Sequence, residues 1–406
     1  MRTRCGLAAV AVAAAALLAA ACGGPTPASA PPAATPSSAP ASAPSVPSSA
    51  TAGHPAHTAS ATPGPAPSPL RAGESLRTVT SPVSYTPRAP TTGTDDYRCF
   101  VLDPKLTKDQ FVTGFDITPG QPGEVHHVIL FRVPPSAVSD ARARDAESGG
   151  NGWTCFGGTG LGSRGATLDD APWVGAWAPG GRENVLPADV GIPMKRGSLL
   201  IMQVHYNLRA GVTPDRSSLK LRLSSSPDLK PLETMLYPAP VELPCRPGKS
   251  GPLCDRSKAI EDVTERFGPM SPRIVNGLLL VCNGTVLPSP GPTQSCTRTV
   301  EQPATVRAVA GHMHLLGSSL RIELNPETAS ARTLLDIKVW DFDNQGAVPV
   351  PATKIKPGDS IRVTCTHDQA WRDKLPDLQG LPERYVVWGE GTTDEMCLGL
   401  LSVTRP

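Results

Sequence analysis

Aromatic residues are scarce in this 406-residue chain, 4% of the total, and neither sign of charge prevails, with 38 Lys and Arg against 36 Asp and Glu. No basic stripe interleaved with aromatics results, so nucleic acid is not an expected partner. Beyond the N-terminus no run reaches the ~18 apolar residues that a membrane-spanning helix needs. Long amphipathic helical windows are also missing; "RSKAIEDVTERFG" is the best of them and is short. Histidine is rare too, with 8 residues, which makes the adjacent pair in "GEVHHVILFRV", Gly123 to Val133, the first feature to explain.

The N-terminus, "MRTRCGLAAVAVAAAALLAAACGG", joins a basic start to an apolar stretch that ends in small residues before Cys22. It reads as a secretory signal over residues 1–22 with a lipoprotein-type cleavage site and a lipid on Cys22. The mature chain is then exported, attached to the outer face of the cell membrane only through that lipid, or otherwise secreted. Residues 23–90 are nearly all Pro, Ala, Ser and Thr. This composition buries too little apolar surface to fold and predicts a disordered tether, in which His54 and His57 are incidental.

The ~320 residues that remain exceed what one core usually serves, so two domains are expected, 91–230 and 231–406. The break lies near "SSPDLKPLE", Ser225 to Glu233. With Cys5 in the signal and Cys22 at the anchor, Cys99, Cys155, Cys245, Cys254, Cys282, Cys296, Cys365 and Cys397 are left, an even set that reads as four disulfides. "HHVILFRV", "SLLIMQVHYNL", "LKLRLS", "GLLLVC", "TVRAVAGHMHLLG", "SLRIEL", "TLLDIKVWDF" and "DSIRVTC" are strand-length and bounded by Gly, Pro, Asn or Asp. The fold class is therefore all-β, with two tandem antiparallel β-sandwiches, jelly-roll-like and braced by disulfides.

Outside the tether the histidines are His126, His127, His205, His312, His314 and His367, and the first five lie inside strand-like runs. A lone histidine in a strand is ordinarily a satisfied structural residue; five are harder to set aside. In "MQVHYN" the two-residue period puts Gln203, His205 and Asn207 on one face. The same period puts His312 and His314 of "GHMHLLG" on a common face, a spacing at which two imidazoles can bind one metal ion. His126 and His127 would diverge in an ideal strand, so joint ligation there needs a twist, a bulge or different ring nitrogens. Met396 in "GTTDEMCLGLLSV" ordinarily reads as core filler. Beside a two-histidine strand its thioether is a soft donor suited to Cu(I). Three histidines in one half, and two histidines with a methionine in the other, suggest two copper sites of unequal softness.

From about Asp95 to Val403 the chain resembles the copper type II, ascorbate-dependent monooxygenases, which include peptidylglycine alpha-hydroxylating and dopamine beta-monooxygenases. The resemblance rests on the order of "DDYRCF", "VHHVILF", "GWTCFGG", "WAPG", "MQVHY", "GHMHLLG" and "DEMC". It implies that His126, His127 and His205 hold an electron-storing copper and that His312, His314 and Met396 hold the oxygen-binding copper. It also implies that ascorbate or another one-electron donor reduces both ions, and that a small organic substrate is hydroxylated at a C–H bond with dioxygen. Gln203 resembles a position discussed as linking the two sites. The resemblance further implies Cys99–Cys155 and Cys365–Cys397, the second bracing the strand beside Met396. Cys245, Cys254, Cys282 and Cys296 allow three pairings, of which Cys245–Cys254 and Cys282–Cys296 are preferred.

Departures from the family bear on the substrate. Peptidylglycine enzymes carry arginine where this chain has Ala310, and Asn and Tyr where it has Leu398 and Leu400. A glycine-extended peptide is thus not the expected substrate; a less polar molecule is. "GGTGLG", Gly157 to Gly162, lacks the context of a phosphate loop and reads as structural. His367 is expected to be exposed, and Trp153, Trp173, Trp177 and Trp388 to be core rather than a substrate cage. The alternative to an enzyme is a non-catalytic surface lipoprotein that binds or delivers copper; a scaffold on a degenerate copper fold is the remaining reading.

Overall fold

A computed structural model describes residues 66–90, 93–161 and 173–406, which belong to one compact unit. The signal, Cys22, His54 and His57 lie outside the described residues. The first half contributes β1 (Glu74–Thr80), β2 (Asp95–Leu102), β3 (Gln110–Thr118), β4 (Val125–Val133), α1 (Val138–Glu147), β5 (Trp153–Thr154), β6 (Trp173–Trp177), β7 (Asn184–Val185), β8 (Val190–Met194), β9 (Leu199–Asn207) and β10 (Ser218–Ser224). The second contributes β11 (Lys230–Pro238), β12 (Glu242–Leu243), α2 (Arg256–Phe267), α3 (Ser271–Asn283), β13 (Thr293–Thr299), β14 (Ala304–His312), β15 (Gly317–Leu324), β16 (Arg332–Ile337), β17 (Val348–Ile355), β18 (Ser360–His367), β19 (Val386–Val387) and β20 (Leu398–Thr404).

The protein is all-β with sandwich-like sheets. In the first half the sheet β5-β2-β9-β4-β6 packs its Phe100, Val128, Leu130, Met202 and Val204 against Val112, Phe115, Leu219 and Leu221 of β3 and β10. In the second half β13-β18-β15-β16 packs Ile322, Ile361 and Val363 against Val306, Val309, Leu401 and Val403 of β14 and β20. Alternating apolar side chains produce both interfaces, as the period of an extended strand requires. The long sheet runs β1-β10-β3-β8-β11-β20-β14-β17 and so spans both halves. Its one seam between them is parallel: Lys230 and Pro231 of β11 register with Val190 and Gly191 of β8.

Disulfides join Cys99 to Cys155, Cys245 to Cys254, Cys282 to Cys296 and Cys365 to Cys397. Such a set marks an exported chain, because thiols stay reduced in the cytosol. No helix among the described residues is long and apolar enough to cross a membrane.

Three local expectations are corrected. The tether does not extend to residue 90: β1 pairs along its whole length with β10, and Tyr85 is buried with its hydroxyl 2.7 Å from Asp96 Oδ2. Val79, Val83 and Tyr85 break the Pro/Ala/Ser composition and pack on the first-half core. "GLLLVC" is not a strand but the end of α3, whose Pro272 sits in the first turn and whose C-cap Gly284 takes φ 69°. "GHMHLLG" is only partly strand, because β14 ends at His312 and His314 lies in the following turn.

Candidate metal centre

The adjacent histidines meet through a bulge. In the β4–β9 ladder Val125 faces Tyr206 and His127 faces His205, so His126 is the extra residue on β4. A bulge lets neighbours that would diverge turn toward one side. The Nδ1 atoms of His126, His127 and His205 converge, with separations of 3.0 Å for His126–His205, 3.2 Å for His126–His127 and 3.4 Å for His127–His205. Three nitrogens about 2.0–2.1 Å from one metal ion at tetrahedral angles lie about 3.3 Å apart, so the set has ligand spacing. Among the described residues this is the one group of three His, Cys, Asp or Glu donors so placed.

The tautomers suit ligation. His205 Nε2 is 2.8 Å from Asp95 Oδ1, which places a proton on Nε2 and leaves the Nδ1 lone pair free. Thr392 steadies that carboxylate through its hydroxyl at 2.9 Å and its backbone N–H at 3.2 Å. Burial alone would raise the Asp95 carboxyl, but the hydrogen bond and charge of His205 outweigh it and hold it at about 2. Burial, reinforced by neighbouring imidazoles, pushes His126 and His127 well below the usual histidine range. Tyr97 stacks on His205 with ring centroids 3.9 Å apart, and Phe342 on His126 at 4.6 Å.

The second group is built differently. His312 ends β14 and its Nδ1 sits 2.7 Å from Gln345 Oε1, so Nδ1 donates and Nε2 is left for another partner. Burial, aided by His314, lowers its pKa to about 3. The His314 ring centroid is 5.1 Å from that of His312, and both of its ring nitrogens are buried without a hydrogen-bond partner. Glu395, fully buried, accepts from the backbone N–H groups of His314 at 3.0 Å, Leu316 at 2.5 Å and Met396 at 3.3 Å. This carboxylate holds the histidine turn and the methionine segment together. The Cys365–Cys397 bond ties β18 to the residue after Met396.

His367 is buried rather than exposed. It is 2% accessible, and its Nε2 lies 3.2 Å from the Met396 carbonyl oxygen and 3.3 Å from Glu395 Oε2. Its polar sequence neighbours conceal that β18 points every second side chain inward, His367 included.

Both groups open on one cavity of about 610 Å³, lined by His126, His127, His312 and Met396. The His127 and His312 ring centroids are 6.1 Å apart across it. Ala310, Leu398 and Leu400 form part of its wall, and so do Trp173, Trp177 and Trp388. The tryptophans thus do more than fill core. Trp153, Trp177 and Trp388 are buried as expected, yet two of these, with half-buried Trp173, also face the cavity. Gln203 lines it too, its Nε2 donating to the Gly158 carbonyl at 3.1 Å.

The sequence alone gives Asp95, Gln345 and Glu395 no distinct role. Asp95 and Glu395 sit inside "DDYRCF" and "DEMC", and an acidic residue on a strand beside an imidazole strand is a readable signal. Gln345 sits in a loop with no such cue.

No protein-family model matches the chain, and no curated protein does. Among solved structures, it is similar to the major capsid protein P2 of bacteriophage PM2, at 8% identity and TM-score 0.32, covering 82% of this chain and 97% of that one. A fucolectin from Morone saxatilis (striped bass) serum shares 6% identity at TM-score 0.18, with 82% and 97% covered. An allantoicase shares 10% identity at TM-score 0.17, with 79% and 90% covered. These likenesses are too slight to bear on function.

Proposed function

We propose that the chain is a copper-dependent monooxygenase that hydroxylates a C–H bond of a weakly polar organic molecule, using dioxygen and an external one-electron donor such as ascorbate. It would act as an exported protein held at the outer face of the membrane by a lipid on Cys22. The observation that carries this reading is the convergence of three buried Nδ1 atoms at 3.0–3.4 Å on a cavity that also holds His312 and Met396.

The donor sets fit two coppers. Imidazole serves both oxidation states, and an added thioether favours Cu(I). The orphaned, buried nitrogens of His314 fit a ligand role better than a structural one, since a buried polar atom without a partner is costly. His126, His127 and His205 would hold one ion; His312, His314 and Met396 would hold the other. Copper so bound supplies one-electron redox steps and activation of dioxygen.

The protein's own residues supply the rest. Asp95 fixes the His205 ring, and Gln345 fixes that of His312, so each presents one nitrogen. Glu395 sets the position of the Met396 backbone. Ala310, Leu398, Leu400 and the tryptophans give the organic substrate an apolar wall and exclude water from the reacting carbon.

The test is copper content and oxygen uptake of purified protein. Wild type should bind two coppers, and His127→Ala and His314→Ala about one each. Met396→Ala should keep the first-half copper and lose hydroxylation. Full copper loading with no reductant-dependent oxygen uptake on any substrate would replace this reading with that of a copper-binding or delivery lipoprotein. Failure to load copper would remove both.

A further inference from the structure

Glu390 has no part in the ligand sets, yet it lines the same cavity as His126, His127, His312 and Met396. It is only 7% exposed. Its neighbour Asp394 is neutralised by Arg266 and Arg384. No Lys, Arg or His acts on Glu390 among the described residues. A buried carboxyl facing a reaction cavity without a cation is costly to keep unless it has a use.

Its position is built. The Tyr97 hydroxyl donates to the Glu390 carbonyl oxygen, and Tyr97 stacks on His205. Gly157 packs against the carboxyl at φ +65°, and a Cβ there would lie 3.2 Å from Oε1. Burial pushes the Glu390 carboxyl up to about 7; the Trp388 indole and the Gly157 amide offset part of the rise and Asp394 adds to it. The other titratable groups beside it do not change charge near neutrality. Burial raises the Tyr97 phenol well above its ordinary range. Burial would raise Asp394 as well, but Arg266 and Arg384 keep it ionised.

We propose that Glu390 is the proton donor of the cavity, a role that rests on the monooxygenase reading above. Hydroxylation consumes R–H, dioxygen, two electrons and two protons and yields R–OH and water. One oxygen atom enters the C–H bond and the other leaves as water. The electrons come from two equivalents of the one-electron donor, which is oxidised. The protons must reach a cavity walled by apolar side chains. The Glu390 carboxyl gives up its O–H proton toward the departing water, is reprotonated from solvent and gives up the second in the same way, then takes a proton from solvent before the next turnover.

Glu390→Gln preserves shape and removes the titrating proton. Infrared titration of the metal-free full-length protein should show a protonated carboxyl band that disappears with a midpoint near 7, absent from E390Q. In the copper-loaded protein with ascorbate, E390Q should retain copper content and copper reduction while coupled product formation falls about 100-fold, the scale of a lost general acid. Glu390→Asp should restore part of the rate and the pH dependence. Unchanged coupling and pH profile in E390Q would overturn the proposal, as would a wild type that turns over without the titrating band. A wild type that shows the band but consumes no oxygen would bring down the monooxygenase reading, and the donor role with it.

Discussion

The two histidine groups face one cavity but are held by different means. His127 and His205 are direct partners in a sheet ladder, and the bulge adds His126 to the same side. His314 and Met396 lie outside the strands, joined through the buried Glu395 carboxylate and braced by Cys365–Cys397. Ligands carried on neighbouring strands inherit their geometry from the register. Ligands carried on turns need a dedicated charged clamp, and such a clamp is a single point of failure.

Glu395→Ala should therefore have the largest effect of the substitutions that replace no ligand. It removes the acceptor for three backbone N–H groups and leaves His367 without its carboxylate. The expected cost is about 3–5 kcal/mol in urea unfolding, the scale of breaking a buried charged network. Copper at the His312 group should be lost while the three-histidine group keeps its own. Equal loss at both would mean that the groups are not held independently.

Asp95→Asn probes the other clamp more gently. The ring of His205 would keep a hydrogen-bonding neighbour but not the charge, and affinity at the three-histidine group should fall about 10–100-fold. Competition with a copper chelator measures it, and the His312 group should not respond. Gln345→Leu is the counterpart, freeing His312 Nδ1; its expected effect is about tenfold and confined to the second group.

The smallest effects are in the pH dependence of the metal-free protein. His312 is lowered by burial from 6.5 to about 3, so between those values the unfolded chain binds a proton that the folded one refuses. Stability from this source is complete above pH 6.5 and is lost as pH falls toward 3. Glu390 has the opposite sign. Its carboxyl is raised by burial from 4.5 to about 7, so stability is greatest below pH 4.5 and declines as pH rises to about 7. Thermal melts across this range should show both limbs in wild type, with the upper one flattened in Glu390→Gln.

What could be read in the sequence follows from local periodicity. "VHHVILF" and "MQVHY" announce β4 and β9, and strand geometry alone asks for a twist, a bulge or different ring nitrogens at His126 and His127; the register shows that the bulge is used. "RSKAIEDVTERFG" announces α2, whose N-cap Asp255 accepts from the Lys258 N–H. "GLLLVC" misleads because a short apolar run looks the same in a buried strand and in a helix; the decisive cues are Pro272 and Gly284 beyond its ends. Gln345 and Glu390 were beyond reach for another reason. Each lies in an aperiodic polar loop, and Gln345 meets its histidine from 33 positions away. Only tertiary packing gives such residues a role.

The parallel seam between β8 and β11 gives the cavity a mechanical character. Only two residue pairs cross it, and Pro231, one of the four residues, has no N–H to donate. Asp189 beside it reaches Arg307 at 2.6 Å, a stitch from one half to the other. The halves are thus two pages on a shared spine. The cavity's two walls therefore belong to one continuous sheet framework, reinforced where Thr392 meets Asp95 and Phe342 stacks on His126.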